Sequence, residues 1–427
     1  MGQMLSNPVT EKNSASGGDD RLIYGVSSMQ GWRLTMEDAH SAILDLQHEE
    51  AYNNNGKTSD VQSRLSFFGV YDGHGGNKVS QFTGDNIHRI VARQETFEKG
   101  DIEQALKDGF LATDRALLDD PEFKNDISGC TVIAGIISSS KIYVANAGDS
   151  RGVLGIKGRA KPLSFDHKPQ NEGEKARIVA AGGQVEFGRI NRNLALSRAI
   201  GDFAFKQSAE LAPEQQIVIA LPDVIIHDIS SNDEFLVIAC DGIWDCRSSQ
   251  EVVEFVRRGI AAKQELSDIC ENIMNNCISS MANNSGIGCD NMTVMIIGIL
   301  QGKSKEEWYE EIASRVANGD GPCAPPEFAE PRGPNINCNF EDSDICGYGF
   351  DMNDQTEFND GRFGRIIFLG DGSEILSDPD DTEIFDNMDE VMDLSDRFTD
   401  ANIAEYDPYS RNPDLEDTTR DMTTNKK

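Results

Sequence analysis

Between Leu22 and Gln301, short apolar runs alternate with longer stretches of helical spacing. The short runs are rich in β-branched and aromatic residues, which predicts strands over 65–71, 131–137, 141–147, 234–240 and 292–300. Helical spacing predicts helices over 77–93, 101–118, 171–181, 249–263 and 266–283. Gly182-Gly183 closes the third of these, as a helix C-terminus requires. In the last, Leu266, Ile269, Ile273 and Cys277 form one stripe, expected to face the core. A further helix is predicted over 305–316, with Trp308, Ile312 and Val316 on one face.

Outside this region the pattern fades. Residues 1–21 are polar and predict a flexible arm, and the polar stretch 48–64 predicts an inserted loop. Residues 22–301 form the expected folded domain, and 302–320 carry its C-terminal helix. Residues 319–334 are rich in Pro and Gly, as a linker is. From 321 to 427 an acidic, mostly disordered tail is expected, because a segment so poor in aliphatic residues cannot bury enough surface to offset chain entropy. Within it, residues 365–369 and the turn Gly370-Asp371-Gly372 predict a small hairpin.

Composition changes the picture in three ways. The chain of 427 residues carries 73 acidic and 39 basic side chains, a net charge of -34. Residues 301–427 alone hold 32 acidic against 11 basic residues, so the tail carries most of that excess. Such a balance excludes nucleic acid as a general partner, since phosphate backbones demand Lys and Arg, and suits a protein that collects divalent cations. The nine cysteines are scattered without a CxxC pair, which predicts reduced thiols and a location in the cytoplasm and nucleus. No apolar run approaches a membrane span, so no transmembrane segment is expected. Met1-Gly2-Gln3-Met4-Leu5-Ser6 matches the pattern for acylation of Gly2, which would add weak membrane association.

The informative chemistry lies at the strand ends. Predicted strands run into Asp72-Gly73-His74-Gly75-Gly76, into Gly148-Asp149-Ser150-Arg151 and into Asp241-Gly242, while Asp290-Asn291 precedes a fourth. In antiparallel sheets one strand's end lies beside its neighbour's start, so these four aspartates can converge. Any single Asp-Gly is ordinary turn chemistry. Four such ends in one domain predict a carboxylate cluster, which repels itself unless hard cations such as Mg²⁺ or Mn²⁺ neutralise it. Arg33 stands four residues before Glu37-Asp38; its guanidinium can fork onto a phosphate, although a plain surface Arg–Glu pair is the simpler local reading.

Six strings in order carry a resemblance. They are Ser28-Met29-Gln30-Gly31-Trp32-Arg33-Leu34-Thr35-Met36-Glu37-Asp38-Ala39-His40, Tyr71-Asp72-Gly73-His74-Gly75-Gly76, Ala145-Asn146-Ala147-Gly148-Asp149-Ser150-Arg151, Ala195-Leu196-Ser197-Arg198-Ala199-Ile200-Gly201-Asp202, Ala239-Cys240-Asp241-Gly242-Ile243-Trp244-Asp245 and Asp290-Asn291-Met292-Thr293. Together they resemble the PP2C (PPM) family of metal-dependent protein serine/threonine phosphatases, and the N-terminal octapeptide and acidic tail resemble its fungal branch. The resemblance implies an α+β (αββα) sandwich, two antiparallel β-sheets flanked by helices, with metals at one end. It implies two Mg²⁺ or Mn²⁺ ions bridged by Asp72. The Gly73 carbonyl completes one site, and Asp241 and Asp290 the other. Glu37 and Asp38 would hold metal-bound waters, and Asp149 a weaker third ion. Arg33 would bind the phosphate and His74 act as general acid.

Two ions about 3.5–4 Å apart lower the pKa of a bridging water and clamp the phosphoryl group for in-line attack. Other phosphatase chemistries fit worse. No Cys is followed six positions later by Arg, and Asp342-Ser343-Asp344 follows no apolar strand. The rival reading is a non-catalytic acidic metal-binding scaffold, against which the set Arg33, Asp72, His74, Asp241 and Asp290 speaks. The expected partners are phosphorylated proteins, by resemblance to fungal relatives kinases of stress-response and cell-cycle pathways, with phospho-reader domains recruited by the tail. A monomer is expected.

Overall fold

The structure is a computed structural model. Residues 4–46, 64–282 and 286–330 are described, together with the backbone of 366–368 and 374–376. The predicted loop 48–64 lies, but for Arg64, outside the described residues.

Two antiparallel sheets form the frame. The strands in chain order are β1 (Met4–Gly18), β2 (Leu22–Arg33), β3 (Ala39–Ile43), β4 (Ser66–Tyr71), β5 (Val132–Ile137), β6 (Lys141–Ala147), β7 (Arg151–Ile156), β8 (Arg159–Pro162), β9 (Asp223–Asp228), β10 (Asp233–Ala239) and β11 (Met292–Ile299). One sheet has six strands in the order β1-β2-β11-β10-β7-β8, and the other five in the order β9-β6-β5-β4-β3. Both inner faces are apolar. Val26, Phe68, Val70, Ile133, Val144, Leu236, Ile238 and Met295, drawn from both sheets, pack into one buried layer.

Helices cover both outer faces. Helices α1 (Lys78–Ala92) and α2 (Ile102–Asp119) bury Ile87, Val91, Leu106 and Phe110 with Phe67 and Tyr71 of β4. A short helix α3 (Glu172–Ala180) serves a separate small cluster of Ile178, Ile190, Leu196, Ala199 and Val218. The one-turn α4 (Asp241–Trp244) follows β10. Helices α5 (Ser249–Ala261), α6 (Leu266–Cys277) and α7 (Lys305–Ala317) cover the six-stranded sheet. Ser248 and Ser304 open α5 and α7 with capping boxes to Glu251 and Glu307. The expected stripe Leu266, Ile269, Ile273 and Cys277 is buried. The αββα sandwich is thus observed.

Two boundaries differ from expectation. Residues 4–18 are not a flexible arm but the edge strand β1, paired with β2 from Met4↔Arg33 to Gly18↔Ile23. Its polar sequence lacks alternation because most of its side chains face solvent; the backbone ladder to the free edge of β2 holds it, helped by Ser14, whose hydroxyl donates 2.6 Å to Glu271 Oε1. Residues 321–330, expected to belong to the tail, pack on α5. The fully buried Arg257 donates to the carbonyls of Asp320 (2.6 Å) and Pro322 (3.1 Å), and Phe328 lies edge-on to Phe255 at 5.7 Å. The predicted hairpin is present as β12 (Ile366–Phe368) paired with β13 (Glu374–Leu376). The rest of the tail lies outside the described residues.

Candidate active site

Antiparallel pairing brings the expected residues to one end of the sandwich. Strand β4 ends at Tyr71, and Asp72 follows, its carbonyl accepting from Thr131 N at 2.9 Å. Strand β10 ends at Ala239, and Asp241 opens α4. Asp290 stands just before β11, which runs between β10 and β2. Asp149 follows β6, and Arg33 ends β2. The loop from Arg33 to β3 carries Glu37 and Asp38 across this end.

Asn291 folds that loop down. Its Oδ1 accepts from Glu37 N at 2.9 Å, and its Nδ2 donates to the carbonyls of Gln30 (2.7 Å) and Thr35 (3.0 Å). Two glycines permit the close approach. A Cβ on Gly73 would sit 2.2 Å from Glu37 O, and one on Gly242 would sit 2.1 Å from Asn291 O. Neither has room for a side chain, whatever its backbone angles.

Asp38, Asp72 and Cys240 present ligand atoms within 4.8 Å of one another. Asp38 Oδ2 accepts from Thr293 Oγ1 at 2.7 Å and from Cys240 Sγ at 3.4 Å, whereas its buried Oδ1 has no hydrogen-bond donor. Burial, then the charges of Asp241, Asp38, Asp290 and Asp149, push the Asp72 carboxyl well above the usual range. Burial, then Asp149, Asp290 and Asp245, do the same to Asp241. Asp38 is pushed up to about 7, chiefly by burial. Carboxylates so crowded and dry stay ionised at neutral pH only beside positive charge. The oxygen-rich donor set and the orphaned Asp38 oxygen suit a hard divalent cation.

His74 sits in a small three-stranded patch in which Gly73–His74 pairs with Gly129–Cys130, and that pair with Ile200–Gly201. This pairing brings its Nε2 within 2.7 Å of Asp202 Oδ2. Burial pulls the imidazole pKa down, but Asp202, with Asp149 and Glu37 behind it, more than offsets that and raises it. His74 therefore holds a proton more readily than a free histidine. Arg33 donates from Nη2 to Asp290 Oδ2, with its side chain 44% exposed, so the guanidinium keeps an open face. Asp149 is engaged by Lys168, whose Nζ donates at 2.6 Å.

Four residues here had no role assigned from sequence: Asp202, Asn291, Lys168 and Thr293. Asp202, Asn291 and Thr293 lie inside the quoted motifs, which is the available signal. Nothing local marks Lys168.

Comparison with known proteins identifies the family. The family model "Protein phosphatase 2C" matches residues 22–286. Protein phosphatase 2C homolog 2 of Hypocrea jecorina is 66% identical over 396 residues, covering 92% of this chain and 89% of the relative. Protein phosphatase 2C homolog 3 of Schizosaccharomyces pombe is 53% identical over 380 residues, covering 86% and 89%. In fold, the crystal structure of a phosphatase from Toxoplasma gondii is similar, with a TM-score of 0.56 at 23% identity, over 69% of this chain and 97% of that one. The chain belongs to the protein phosphatase 2C family and is a protein phosphatase.

Proposed function

We propose that this phosphatase hydrolyses phosphoserine and phosphothreonine in proteins, with divalent cations at the carboxylate cluster and no phosphoenzyme. The observation that carries the reading is the cluster itself: the carboxyls of Asp38, Asp72, Asp241 and Asp290 are all held above their ordinary range, first by burial, at the end of the sandwich where His74 stands on Asp202. Asp72, the Gly73 carbonyl, Asp241 and Asp290 would hold two Mg²⁺ or Mn²⁺ ions, with Glu37 and Asp38 acting through water and Asp149 serving a weaker third. Bound there, the ions would supply charge compensation and a water acidic enough to attack phosphorus at neutral pH.

The protein's own groups do the rest. Arg33 would direct its open guanidinium face to the phosphoryl oxygens through forked donors. His74 would give its proton to the departing serine or threonine oxygen, which is too basic to leave as an alkoxide. Asp202 holds the imidazole from the far side and keeps the proton on it until that moment.

Hydrolysis of a chromogenic phosphate ester and a phosphothreonine peptide tests this. Chelation should silence both reactions, and Mg²⁺ or Mn²⁺ should restore them. Full turnover in excess chelator would overturn the metal reading, and cation binding without hydrolysis would favour a scaffold.

The wider setting is also a proposal: substrates among stress-response and cell-cycle kinases, a cytoplasmic and nuclear location, and a monomeric state. Acylated Gly2 would add weak membrane association. Gly2 lies outside the described residues. Among the described residues no helix is long and apolar enough to cross a membrane.

A further inference from the structure

Two thiols lie at the seam between the halves of the active site. Cys246 is half-buried just beyond α4; its backbone N–H donates to Ile243 O at 3.1 Å, and its Sγ lies 3.4 Å from Gly242 O and 3.6 Å from Cys277 O. Cys277, the last residue of α6, is 6% exposed, so the carbonyl that Cys246 Sγ approaches belongs to a buried cysteine. On the Cys246 side, α4 opens with Asp241. On the Cys277 side, Ser279 N donates to Gly288 O at 2.9 Å, and Ser279 O accepts from Trp32 Nε1 at 3.0 Å. Those contacts seat the loop leading to Asp290 and the residue next to Arg33.

We propose that Cys246 and Cys277 are a peroxide-responsive dithiol, whose oxidation to a disulfide lowers phosphatase turnover by tying α4 to the end of α6. The effect on turnover rests on the proposed roles of Asp241 and Asp290; the disulfide itself does not. Accessibility and chemistry are both divided between the two sulfurs. Cys246 is the one peroxide can reach, and its side-chain neighbour Cys277 holds its thiol below the ordinary range, while the Cys277 thiol is held well above it. That is the arrangement of an attacking and a resolving thiol. The Cys246 thiolate attacks one peroxide oxygen; the O–O bond breaks, leaving a sulfenic acid and, after protonation, one water. The Cys277 sulfur then attacks the Cys246 sulfur; the S–S bond forms, the S–O bond breaks, and the leaving hydroxide takes the Cys277 proton as a second water. The sulfur pair loses two electrons and peroxide gains two, and a dithiol reductant reverses the change.

The test uses the full chain with Mg²⁺, treated with hydrogen peroxide, alkylated, and digested without reduction. A peptide linked through Cys246 and Cys277 is expected by mass spectrometry. Turnover of a chromogenic phosphate ester should fall severalfold and return with dithiothreitol. Cys246→Ser and Cys246→Ala should both start near wild-type activity and lose the response. No linked peptide would overturn the proposal, as would a linked peptide with unchanged turnover. Undiminished inhibition of both variants would also overturn it, pointing to another thiol such as Cys240. An enzyme inactive before oxidation would instead count against the proposed function, and peptide mapping would still decide whether the disulfide forms.

Discussion

Asp72 and Asp241 stand in a crowded field of negative charge. Each is half-buried among other carboxylates, so ionising either without a cation costs folding free energy. Asp72→Ala and Asp241→Ala are therefore expected to abolish hydrolysis while leaving the cation-free melting temperature unchanged or higher. A large fall in that temperature would show that the carboxylates have a structural role. His74 acts on the leaving group, so its effect should depend on leaving-group basicity. His74→Gln is expected to slow a phosphoserine peptide far more than an aryl phosphate, whose phenolate needs little protonation. Asp202→Asn should show the same asymmetry in weaker form, because its carboxylate acts through the imidazole. Equal losses on both substrates would point to binding or packing instead.

The segment from α3 to β9 is held by a different set of charges. Glu174, on α3, accepts from Ser197 Oγ at 2.6 Å, Arg177 Nη1 at 2.8 Å and Arg198 Nη2 at 2.8 Å, and is 6% exposed. Burial raises its pKa, but Arg198, then Arg177 and Ser197, outweigh that and lower it from 4.5 to about 2. A depressed carboxyl pKa contributes stability that is fully present above its unfolded value and is lost as pH falls toward the folded one. The stabilisation is on the order of 3 kcal/mol, from about 1.4 kcal/mol per pKa unit. Glu174→Gln should lower the melting temperature at pH 7 by several degrees and flatten its fall between roughly pH 4.5 and 2. An unchanged pH profile would show that the ion pairs contribute little.

The C-terminal boundary decides how the chain can be cut. Every proposed catalytic residue lies before residue 291, but residues 321–330 close over Arg257, which also pairs with Glu234. Truncation after residue 330 is expected to leave hydrolysis of a small phosphate ester nearly unchanged. Truncation after 320 strips the Pro322 carbonyl from a buried guanidinium and Phe328 from Phe255, and should lower the melting temperature clearly. Calorimetry and initial rates on both truncations would check this. Lost activity in the longer form would make the tail part of the catalytic unit.

Much of this is legible in the sequence. Strands over 141–147 and 234–240 declare themselves through local runs of β-branched and aromatic residues, which need no partner to be read. The Asp-Gly strings mark strand ends for the same local reason and so point to Asp72 and Asp241, while Asp290-Asn291 marks a strand start. Pairing is not local. That β1 joins β2 depends on a free backbone edge, which polar side chains do not announce. That Asp202 meets His74 depends on a small sheet closing across 128 residues. Cys246 and Cys277, 31 residues apart, look like unrelated thiols until α4 and α6 pack. Lys168 on Asp149 and Thr293 on Asp38 are likewise contacts between side chains that only packing brings together, because hydrogen bonds and charges act over a few ångströms in space whatever the distance along the chain.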